Sequence, residues 1–432
     1  MSIEHLHAVP HLTTSLTGPL QQLESHLLAR QAAIEGWFRQ HWLKTPAPFY
    51  ASVDLRNSGF KVAPVDTNLF PAGFNNLNKA FMPLCVQAVQ AAIERVCPTA
   101  SKILLIPENH TRNLFYLESL ATLHTILTTA GLEVRLGSLQ AEMETPQMIE
   151  LPSGQKITLE PITRSGNRIG LNNFDPCGIL LNNDLSSGVP DILKEIEQTL
   201  IPPLELGWAH RLKSDHFSHY QRVANEFASL VDIDPWLVNP LFRQCGEIDF
   251  MKREGGACLA RNVAALLNAI QTKYDEYGLK EEPFVIIKAD AGTYGMGVMM
   301  VKSAEEVLEL NRKQRTKMAA SKGGQEVTQV IMQEGVYTLE TWGDDQAVAE
   351  PVVYMMDHFV VGGFYRVHKK RGANESLNAP GMHFEPLAFA EPCNTPDQNK
   401  APDAHPNRFY TYGVIARLAL LAAAREIAEV EL

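Results

Sequence analysis

The stretch FVIIKADAGTYGMGVMMV, from Phe284 to Val301, places three glycines between two apolar runs of the β type. Glycine-rich loops suit phosphates, because a backbone without Cβ atoms approaches closely and turns its N–H groups inward. A Walker A loop requires Gly-Lys-Ser/Thr at the start of a helix, and a dinucleotide fingerprint requires Gly-x-Gly-x-x-Gly there. Gly292, Gly295 and Gly297 instead lead into Val-Met-Met-Val, which predicts a strand, a flexible glycine flap and a second strand.

Two charged residues accompany this flap. Lys288 ends the first strand, so its ammonium group can reach phosphates while the flap closes over them. A hairpin with a glycine turn and an ordinary surface lysine is the plain alternative. Asp290 follows two residues later and is a candidate metal ligand facing the phosphates, or else a flap residue that points to solvent.

A second apolar strand, VTQVIMQEGV, covers residues 327–336 and ends in polar residues. A strand that passes into a loop with free backbone groups and a carboxylate can bind adenine edges and ribose hydroxyls. Gln333, Glu334 and Val336 are therefore candidates for contacts with a nucleotide. Lys213, in HRLKSDHF, is a candidate for a second lysine on the phosphates.

The region 347–367 has the sequence of a β-hairpin that ends in Arg366, and the loop NESLNAPG with Asn378 follows it. Arg366 comes after the apolar Gly-Gly-Phe-Tyr and is expected to face inward. The order of lysine strand, glycine flap, hinge strand with Glu, Arg strand and Asn/Gly loop resembles the ATP-grasp superfamily over residues 284–381. That resemblance implies ATP and Mg²⁺ as cofactors, with Lys288 and Arg366 as catalytic groups and Asn378 near the substrate.

The segment KVAPVDTNLFPAGF, residues 61–74, contains Asp66-x-Asn68. It resembles the early Glu-x-Asn-Thr segment of eukaryotic-type glutathione synthetases, whose ATP-grasp elements are circularly permuted. Side chains two apart on a strand face the same side, so Asp66 and Asn68 can meet one hard cation such as Mg²⁺. Asp-x-Asn is also common in plain turns. With the rest of the motif order present, we expect Asp66, Asn68 and Asp290 to hold magnesium.

Two basic residues precede this segment. Arg56 and Lys61 are candidates for holding a substrate carboxylate, and the bidentate guanidinium of arginine suits that role. For Lys61, a surface charge beside a strand is an equal alternative. The histidines show no metal-ligand spacing and are expected to be structural: His110, His124, His210, His216 and His219.

The rest of the chain alternates between helical and strand-like segments. KILLIPE (102–108), a helix over 111–131 closed by Gly131, and LEVRLGS (132–138) are typical of a βαβ unit in an open parallel sheet. Other expected helices cover 16–44, 82–99, 209–231, 253–278, 303–320 and 408–431, and a second hairpin covers 147–162.

These elements predict an α/β (α+β) protein with an ATP-grasp fold and an open, mostly parallel α/β substrate domain. Circular permutation of the ATP-grasp elements is compatible with the motif order. We expect an N-terminal substrate-binding domain over residues 1–200 and an ATP-grasp domain over residues 201–432.

Composition narrows the classes of partner. The 432 residues are 45% hydrophobic and 20% charged, with a formal net charge of −11. This charge argues against nucleic acid or an anionic membrane as the main partner, whereas small-molecule substrates such as amino acids stay compatible. The sequence contains no Cys-x-x-Cys, no secretory leader and no apolar run of ~20 residues. We expect a cytoplasmic protein with six reduced, mostly buried cysteines; a homo-oligomer is compatible with the sequence.

The whole chain, above all VDLRNSGFKVAPVDTNLFPAGFNNL and IIKADAGTYGMGVMMV, resembles the proteobacterial glutamate–cysteine ligase family of ATP-grasp type. The resemblance implies that ATP drives ligation of L-glutamate to L-cysteine through an acyl phosphate, giving γ-glutamylcysteine. A glutathione-synthetase-like ligase acting on γ-glutamylcysteine and glycine shares the motif order and is one alternative. An ATP-binding regulator without catalysis is another, and the lack of His-Arg-Asp and Asp-Phe-Gly motifs disfavours a protein-kinase-like enzyme.

Overall fold

The computed structural model of the protein describes residues 12–13, 19–109, 113–292, 297–319, 326–386 and 408–430. Its α-helices are α1 (Pro19–Ala29), α2 (Gln31–Trp42), α3 (Met82–Val96), α4 (Leu114–Thr129), α5 (Lys213–Val231), α6 (Gly256–Tyr277), α7 (Glu305–Leu308), α8 (Arg312–Met318) and α9 (Arg408–Val430). Its strands are β1 (Leu12–Thr13), β2 (Tyr50–Asn57), β3 (Val62–Asn68), β4 (Lys102–Pro107), β5 (Glu133–Ser138), β6 (Gln147–Glu150), β7 (Lys156–Pro161), β8 (Thr163–Ser165), β9 (Arg168–Gly170), β10 (Gly178–Asn182), β11 (Thr199–Ile201), β12 (Phe242–Cys245), β13 (Val285–Ala289), β14 (Val298–Val301), β15 (Val330–Glu334), β16 (Thr341–Trp342), β17 (Ala347–Met356), β18 (Phe359–His368) and β19 (His383–Pro386).

A six-stranded sheet has the order β11-β10-β4-β5-β7-β6, and it is parallel except for β6. Helix α4 connects β4 to β5, so the predicted βαβ unit is confirmed. Alternate residues of β4 enter different clusters of the core, Leu104 on one face and Leu105 on the other. Burial on both faces explains why β4 is a nearly continuous apolar run. The predicted hairpin over 147–162 is also confirmed, with β6 antiparallel to β7.

A four-stranded antiparallel sheet has the order β12-β15-β13-β14. The strand–glycine loop–strand arrangement predicted around the glycines is therefore confirmed for the described residues. On β13, Val285 and Ile287 are buried in the cluster that packs against α6. Because successive strand residues face opposite sides, Ile286 and Lys288 face away from this core.

A seven-stranded sheet combines both ends of the chain. It contains β16 to β19 from the C-terminal half, and β2 pairs with β17 while also pairing with β3. A division at residue 200 therefore does not follow the sheets, because residues 50–68 lie in one sheet with residues 341–386. This pairing puts Asp66 in the same sheet as the C-terminal strands.

Helix α9 lies in the centre of the molecule. Its residues from Tyr412 to Ala423 that belong to the core have no exposed surface, and the helix packs against α5, β2 and β3. The Ala/Leu-rich composition suits this position, since small side chains let a helix approach its neighbours on every side. In the described part of the chain, no helix is long and apolar enough to cross a membrane, and α9 is no exception.

Two of the expected helices are divided. The segment 16–44 forms α1 and α2, which are separated at Arg30. The segment 303–320 forms α7 and α8, because Asn311 caps a new helix: its side chain accepts a hydrogen bond from Gln314 N, and Gln314 bonds back to the Asn311 backbone. This capping box starts a new helix and separates it from α7.

Candidate active site

A cleft of about 430 Å³ lies between the four-stranded sheet and the seven-stranded sheet. The strands β2, β3, β13, β15, β17 and β18 and the first residue of α5 supply most of its charged lining. Its ionisable side chains are Asp54, Arg56, Asp66, Lys213, Lys288, Lys317, Glu334, Glu350, Arg366, Arg371 and Glu375. Ten of the fifteen residues predicted from the sequence to act in catalysis or to bind ATP, substrate or metal line this cleft: Arg56, Asp66, Lys213, Lys288, Gly292, Gln333, Glu334, Val336, Arg366 and Asn378.

Lys288 projects from β13 into the cleft and is held from two sides. Its Nζ donates hydrogen bonds to the carbonyl oxygen of Val65 and to Oε1 of Gln333, each at 2.7 Å. Burial lowers the pKa of Lys288 to about 8, and the nearby Lys213 cation contributes to the shift, while Asp66 opposes it. Successive side chains of β15 alternate between the core and the cleft, as on β13. Val330 and Met332 face the core, and Gln333 faces the cleft.

Lys213 begins α5 and lies beside the end of β13, where its backbone N–H donates to the Asp290 carbonyl oxygen at 2.9 Å. Its Nζ is 3.9 Å from the centre of the Trp208 ring and donates to the carbonyl oxygen of Gly292. Gly292 has a φ of +93°, a left-handed conformation that glycine adopts without strain. Burial lowers the pKa of Lys213, and the Asp66 carboxylate acts in the opposite direction. Two lysines thus meet one carboxylate at the same place.

Asp66 and Asp54 form a pair of carboxylates across β3 and β2, where they are direct register partners. Burial alone would raise the pKa of Asp66. The positive charges of Lys213 and Lys288 lower this pKa by a larger amount, so the net shift is downward. The pKa of Asp54 is raised by burial, against the effect of Arg366. Carboxylates directly opposite each other on a sheet repel, so a cation between them would stabilise this arrangement.

Arg366 is the inward-facing arginine that the hairpin predicted. Its Nη1 donates to Asp54 Oδ2 at 2.9 Å and to Glu350 Oε1 at 2.6 Å. Glu350 is the direct partner of Arg366 on β17, and its other oxygen accepts from Arg56 Nε at 3.0 Å. Although burial raises the pKa of Glu350, Arg56 and Arg366 lower it more, so its net shift is downward. Arg56 also donates to the carbonyl oxygens of Val336 and Glu375.

Two buried donors of the cleft have no hydrogen-bond partner among the described residues. They are Nε of Arg366 and Nε2 of Gln333. The Lys288 ammonium group orients the Gln333 amide by donating a hydrogen bond to its oxygen, so the amide nitrogen is the donor without a partner. Buried donors are normally satisfied, so these two atoms fit a ligand that brings acceptor oxygens, as phosphates and carboxylates do.

Lys61 and Glu334 form a buried ion pair behind the cleft rather than a substrate contact. Lys61 Nζ lies 3.0 Å from Glu334 Oε1, and the exposed fractions of the two side chains are 1% and 0%. Trp236 Nε1 and the backbone N–H of Leu241 donate to the same carboxylate. Glu334 therefore lines the cleft without an available carboxylate for a ribose, and Lys61 does not line it.

Asn68 and Asp290 are engaged in local structure. Asn68 Oδ1 accepts from the Phe70 N–H at 2.9 Å, which is the turn alternative for Asp-x-Asn. Asp290 accepts the N–H and the hydroxyl of Ser214 at 2.8 and 2.7 Å, one on each oxygen, at the start of α5. Neither side chain lines the cleft. The structure therefore brings one of the three predicted metal ligands, Asp66, to the lysines.

The glycine flap is described at its two ends. Gly297 has a φ of +63°, and its carbonyl oxygen accepts from the Ala289 N–H at 2.9 Å, which closes the β13–β14 connection. A Cβ atom there would lie 3.2 Å from the Ala289 Cβ, so this position favours glycine for two reasons. Gly295 lies outside the described residues.

Asp54 and Glu350 are the site residues that sequence reasoning missed. Each is the single carboxylate of its largely buried strand, in YASVDLRN and AVAEPVVYMM. An isolated charge on the inward face of a buried strand is costly unless it is paired, so such a residue signals a partner or a site. The partner cannot be read from the sequence, because Asp54 and Arg366 are 312 residues apart.

A larger cavity of about 730 Å³ lies elsewhere, between α2, α3 and the turn that joins β17 to β18. Its central charges are already paired: Arg417 forms a bidentate ion pair with Glu35 at 2.7 and 2.8 Å, and Arg95 contacts Asp357 at 3.1 Å. The smaller cleft combines lysines, free donors and carboxylates, and these make it the candidate active site. In neither place do the described residues include three His, Cys, Asp or Glu side chains grouped to hold a metal by themselves.

Comparisons with known proteins agree on one family. The model of the glutamate–cysteine ligase family matches residues 24–427. A crystal structure from Methylobacillus flagellatus KT, provisionally named a gamma-glutamylcysteine synthetase, is 64% identical; the match covers 98% of this chain and 99% of that one, with a TM-score of 0.90. The comparison with curated protein sequences gives no match.

Two more distant structures are similar at a low level. D-alanyl-alanine synthetase A from Vibrio cholerae O1 biovar eltor str. N16961 is 10% identical over 74% of this chain and 81% of its own, with a TM-score of 0.34. A glutathione synthetase-like effector, GSS30 from Globodera pallida, is 9% identical over 81% and 78%, with a TM-score of 0.33. Scores this low carry no further argument.

The family match spans nearly the whole chain, and it includes every residue of the cleft. The mixed α/β class, the ligase family and the dependence on ATP that the sequence predicted are therefore confirmed. The chain belongs to the glutamate–cysteine ligase family and is an ATP-dependent ligase.

Proposed function

We propose that the cleft binds ATP, L-glutamate and L-cysteine and forms γ-glutamylcysteine through an acyl phosphate. The observation that carries this proposal is the meeting of Lys288, Lys213 and Asp66, from three separate elements, in one cleft with Arg366. The family match supports the substrate pair, and the cleft supports the chemistry.

The phosphates of ATP would lie between Lys288 and Lys213. Each ammonium group is buried at a cost that lowers its pKa, and a polyphosphate would stabilise both charges at once. The unpartnered Nε2 of Gln333 supports an acceptor oxygen beside Lys288. The nucleoside would extend along β15 toward Val336, where the strand leaves the sheet.

Magnesium fits the carboxylate pair Asp54 and Asp66. Oxygen donors suit this hard cation, and Mg²⁺ is usually held by one or two carboxylates together with substrate phosphates rather than by a cage of protein ligands. When bound, it would supply positive charge that neutralises the phosphate oxygens. Asp66 is the stronger candidate, since its carboxylate already faces the two phosphate lysines.

Arg366 would meet the charge of the transferring phosphoryl group and of the glutamate γ-carboxylate. Its free Nε supports a contact with an acceptor oxygen, and its Nη1 is fixed by Asp54 and Glu350. Arg56 already donates to Glu350, Val336 and Glu375, so its role would be to position Glu350 and the loop that contains Asn378. Asn378 is exposed on the cleft wall and would contact the amino acid.

The reaction would proceed in two transfers. An oxygen of the glutamate γ-carboxylate attacks the γ-phosphorus of ATP, and the bond to the β-phosphate oxygen breaks to release ADP. The amine of cysteine then attacks the acyl carbon, the bond to phosphate breaks, and the amine proton leaves with phosphate or a water. Lys288 and Arg366 would act by positioning the partners and by stabilising the spreading charge, so no protein nucleophile is needed.

ADP release by the purified protein with ATP and magnesium tests this proposal. Turnover with glutamate plus cysteine, and none with γ-glutamylcysteine plus glycine, is the expected result. Turnover with the second pair alone would assign the cleft to the next ligation, and silence with both pairs would contradict the proposal. The Asp66→Asn variant serves as the site control, because it keeps the shape of the cleft and removes the carboxylate between the lysines.

A further inference from the structure

Two cysteine sulfurs meet on the side of the four-stranded sheet that carries α6. Cys245 ends β12, Cys258 lies in the first turn of α6, and their Sγ atoms are 3.3 Å apart. Both are free thiols. A disulfide requires about 2.05 Å between the sulfurs, so a small side-chain movement would bring them to bonding distance.

The loop between the two cysteines is held by its own hydrogen bonds. Asp249 and Glu254 exchange backbone hydrogen bonds at 3.3 and 3.0 Å. Asp249 Oδ1 accepts from the N–H groups of Met251 and Lys252, each at 2.9 Å. The Ile248 N–H donates to the Thr328 carbonyl oxygen, which fixes the loop to the residues before β15. The two sulfurs are therefore placed by ordered backbone on both sides.

The two thiols differ in access. Cys258 is half-buried, whereas Cys245 is 6% exposed. Burial raises the pKa of the Cys245 thiol to about 11, and the contact with Cys258 contributes to this shift. An incoming molecule therefore reaches the Cys258 sulfur first, and the more buried Cys245 sulfur reacts second.

We propose that Cys245 and Cys258 form a reversible dithiol–disulfide site that exchanges with small-molecule disulfides. The Cys258 thiolate attacks one sulfur of the small disulfide, forms a mixed disulfide and releases one small thiolate. Cys245 then attacks the Cys258 sulfur, which breaks the mixed bond and releases the second thiolate. The two protein thiols lose two electrons and two protons, and the small disulfide becomes two thiols.

The resulting bond joins β12 to α6 and closes the loop of residues 246–257. Such a crosslink stabilises a protein mainly by restricting its unfolded chain. Neither cysteine lines the cleft, so the crosslink leaves the substrate positions in place. The inference is independent of the ligase proposal, because it rests on residues outside the cleft.

Peptide mapping of the full-length protein tests the site directly. The reduced protein is incubated with glutathione disulfide, the remaining thiols are alkylated, and the protein is digested with trypsin. Lys252 and Arg253 lie between the two cysteines, so cleavage separates them unless the disulfide holds the peptides together. We expect the linked peptides to appear, to vanish on reduction, and to be accompanied by a higher Tm of the oxidised protein.

Variants separate this site from general thiol oxidation. In Cys245→Ser, the reaction should stop at a glutathionyl adduct on Cys258, and oxidation should no longer raise the Tm. Cys177→Ser is the matched control, since Cys177 is also half-buried but donates to the Lys102 carbonyl oxygen, and it should keep the linked peptides. Modification of Cys97 or Cys177 without a bond between Cys245 and Cys258 would overturn the proposal.

Discussion

Lys288 and Glu350 carry opposite charges in the same cleft, and their surroundings shift their pKa values for different reasons. Lys288 has carbonyl and amide oxygens around it, and burial lowers its pKa to about 8. Glu350 lies between Arg56 and Arg366, whose charges outweigh the upward effect of burial on its pKa. A bound anion would therefore stabilise the charge of the lysine, whereas the protein itself stabilises the charge of the glutamate.

The lysine gives a pH dependence. In the free enzyme, kcat/KM for ATP should fall as pH rises through about 8, because Lys288 loses the charge that attracts phosphates. Lys288→Ala should lower kcat/KM by about 10²-fold or more. Removing the charge of Lys288 should not lower the free energy of unfolding. The pKa of this lysine is lower in the folded protein than in the unfolded chain, so its charged form destabilises the fold below pH 8. Initial rates across pH 6–9 and thermal melts measure both effects. Normal turnover in Lys288→Ala would overturn the proposed phosphate contact.

Substitution of Glu350 should affect the binding of glutamate. Glu350→Gln keeps the shape of the side chain but weakens its hydrogen bonds to Arg56 and Arg366, so the two guanidinium groups are less well positioned. We expect KM for glutamate to rise about tenfold or more, with a smaller change in KM for ATP. Glu35→Gln is the control: it removes a half-buried carboxylate that is also paired with an arginine, Arg417, but lies outside the cleft. Equal effects of the two variants on KM would refute a positioning role for Glu350.

At the scale of elements, the junction between β13 and α5 organises the cleft. Asp290 follows β13, and its carboxylate accepts the N–H and hydroxyl of Ser214 in the first turn of α5. An anion at a helix N-terminus satisfies donors that the helix itself leaves unpaired. The same junction fixes Lys213, whose N–H donates to the Asp290 carbonyl oxygen at 2.9 Å. Asp290 thus positions Lys213, the proposed phosphate lysine, through the backbone.

A pair of variants separates the helix contact from the metal contact. Asp290→Asn should lower the free energy of unfolding by about 1–2 kcal/mol and leave the magnesium requirement nearly unchanged. Asp66→Asn should raise the magnesium concentration for half-maximal activity, and it should also lower the free energy of unfolding, because Lys213 and Lys288 lose the carboxylate beside them. Urea denaturation and magnesium titration of activity measure the two effects. A larger shift in the magnesium requirement for Asp290→Asn would favour Asp290 as a ligand.

At the scale of the whole molecule, α9 connects the cleft to the core. Glu426 on α9 forms a bidentate ion pair with Arg211 at 2.6 and 2.9 Å, and His216 lies 3.1 Å from the same carboxylate. Arg211 also donates to the carbonyl oxygen of Thr67, next to Asp66. The helix near the end of the chain therefore supports the strand that carries the proposed magnesium ligand.

This ion pair predicts how stability depends on pH. Although burial raises the pKa of Glu426, Arg211 lowers it well below its usual range. The contribution of a carboxylate with a depressed pKa is complete above its unfolded pKa of about 4.5 and is lost as pH falls below that value. Glu426→Gln should therefore cost about 3–5 kcal/mol at pH 7, and the difference from wild type should shrink on acidification below pH 4.5.

Denaturant titrations of both proteins at pH 7 and pH 4 measure this difference. Glu429→Gln is the surface control, because the Glu429 side chain is 63% exposed. A difference between wild type and Glu426→Gln that is the same at both pH values would contradict the ion-pair assignment.

The sequence by itself determined the elements and the central part of the site. Alternation on β13 identifies a strand and puts Lys288 on the face opposite the core, and the positive φ at Gly292 and Gly297 shows why glycines stand there. The inward position of Arg366 also follows from its own strand. These features depend on residues that are near one another in the chain, so local periodicity and turn chemistry reveal them.

Only the tertiary structure decided which charges meet. Asp54 meets Arg366, 312 residues away, because β2 pairs with β17, and this pairing also brings Arg56 to Glu350. Glu334 lines the cleft, but its carboxylate is occupied by the ion pair with Lys61, which lies behind the cleft. Asn68 and Asp290 were taken up by a turn and by the start of a helix. The physical reason is that a buried charge is stabilised by its partner, and register between distant strands, rather than local sequence, selects that partner.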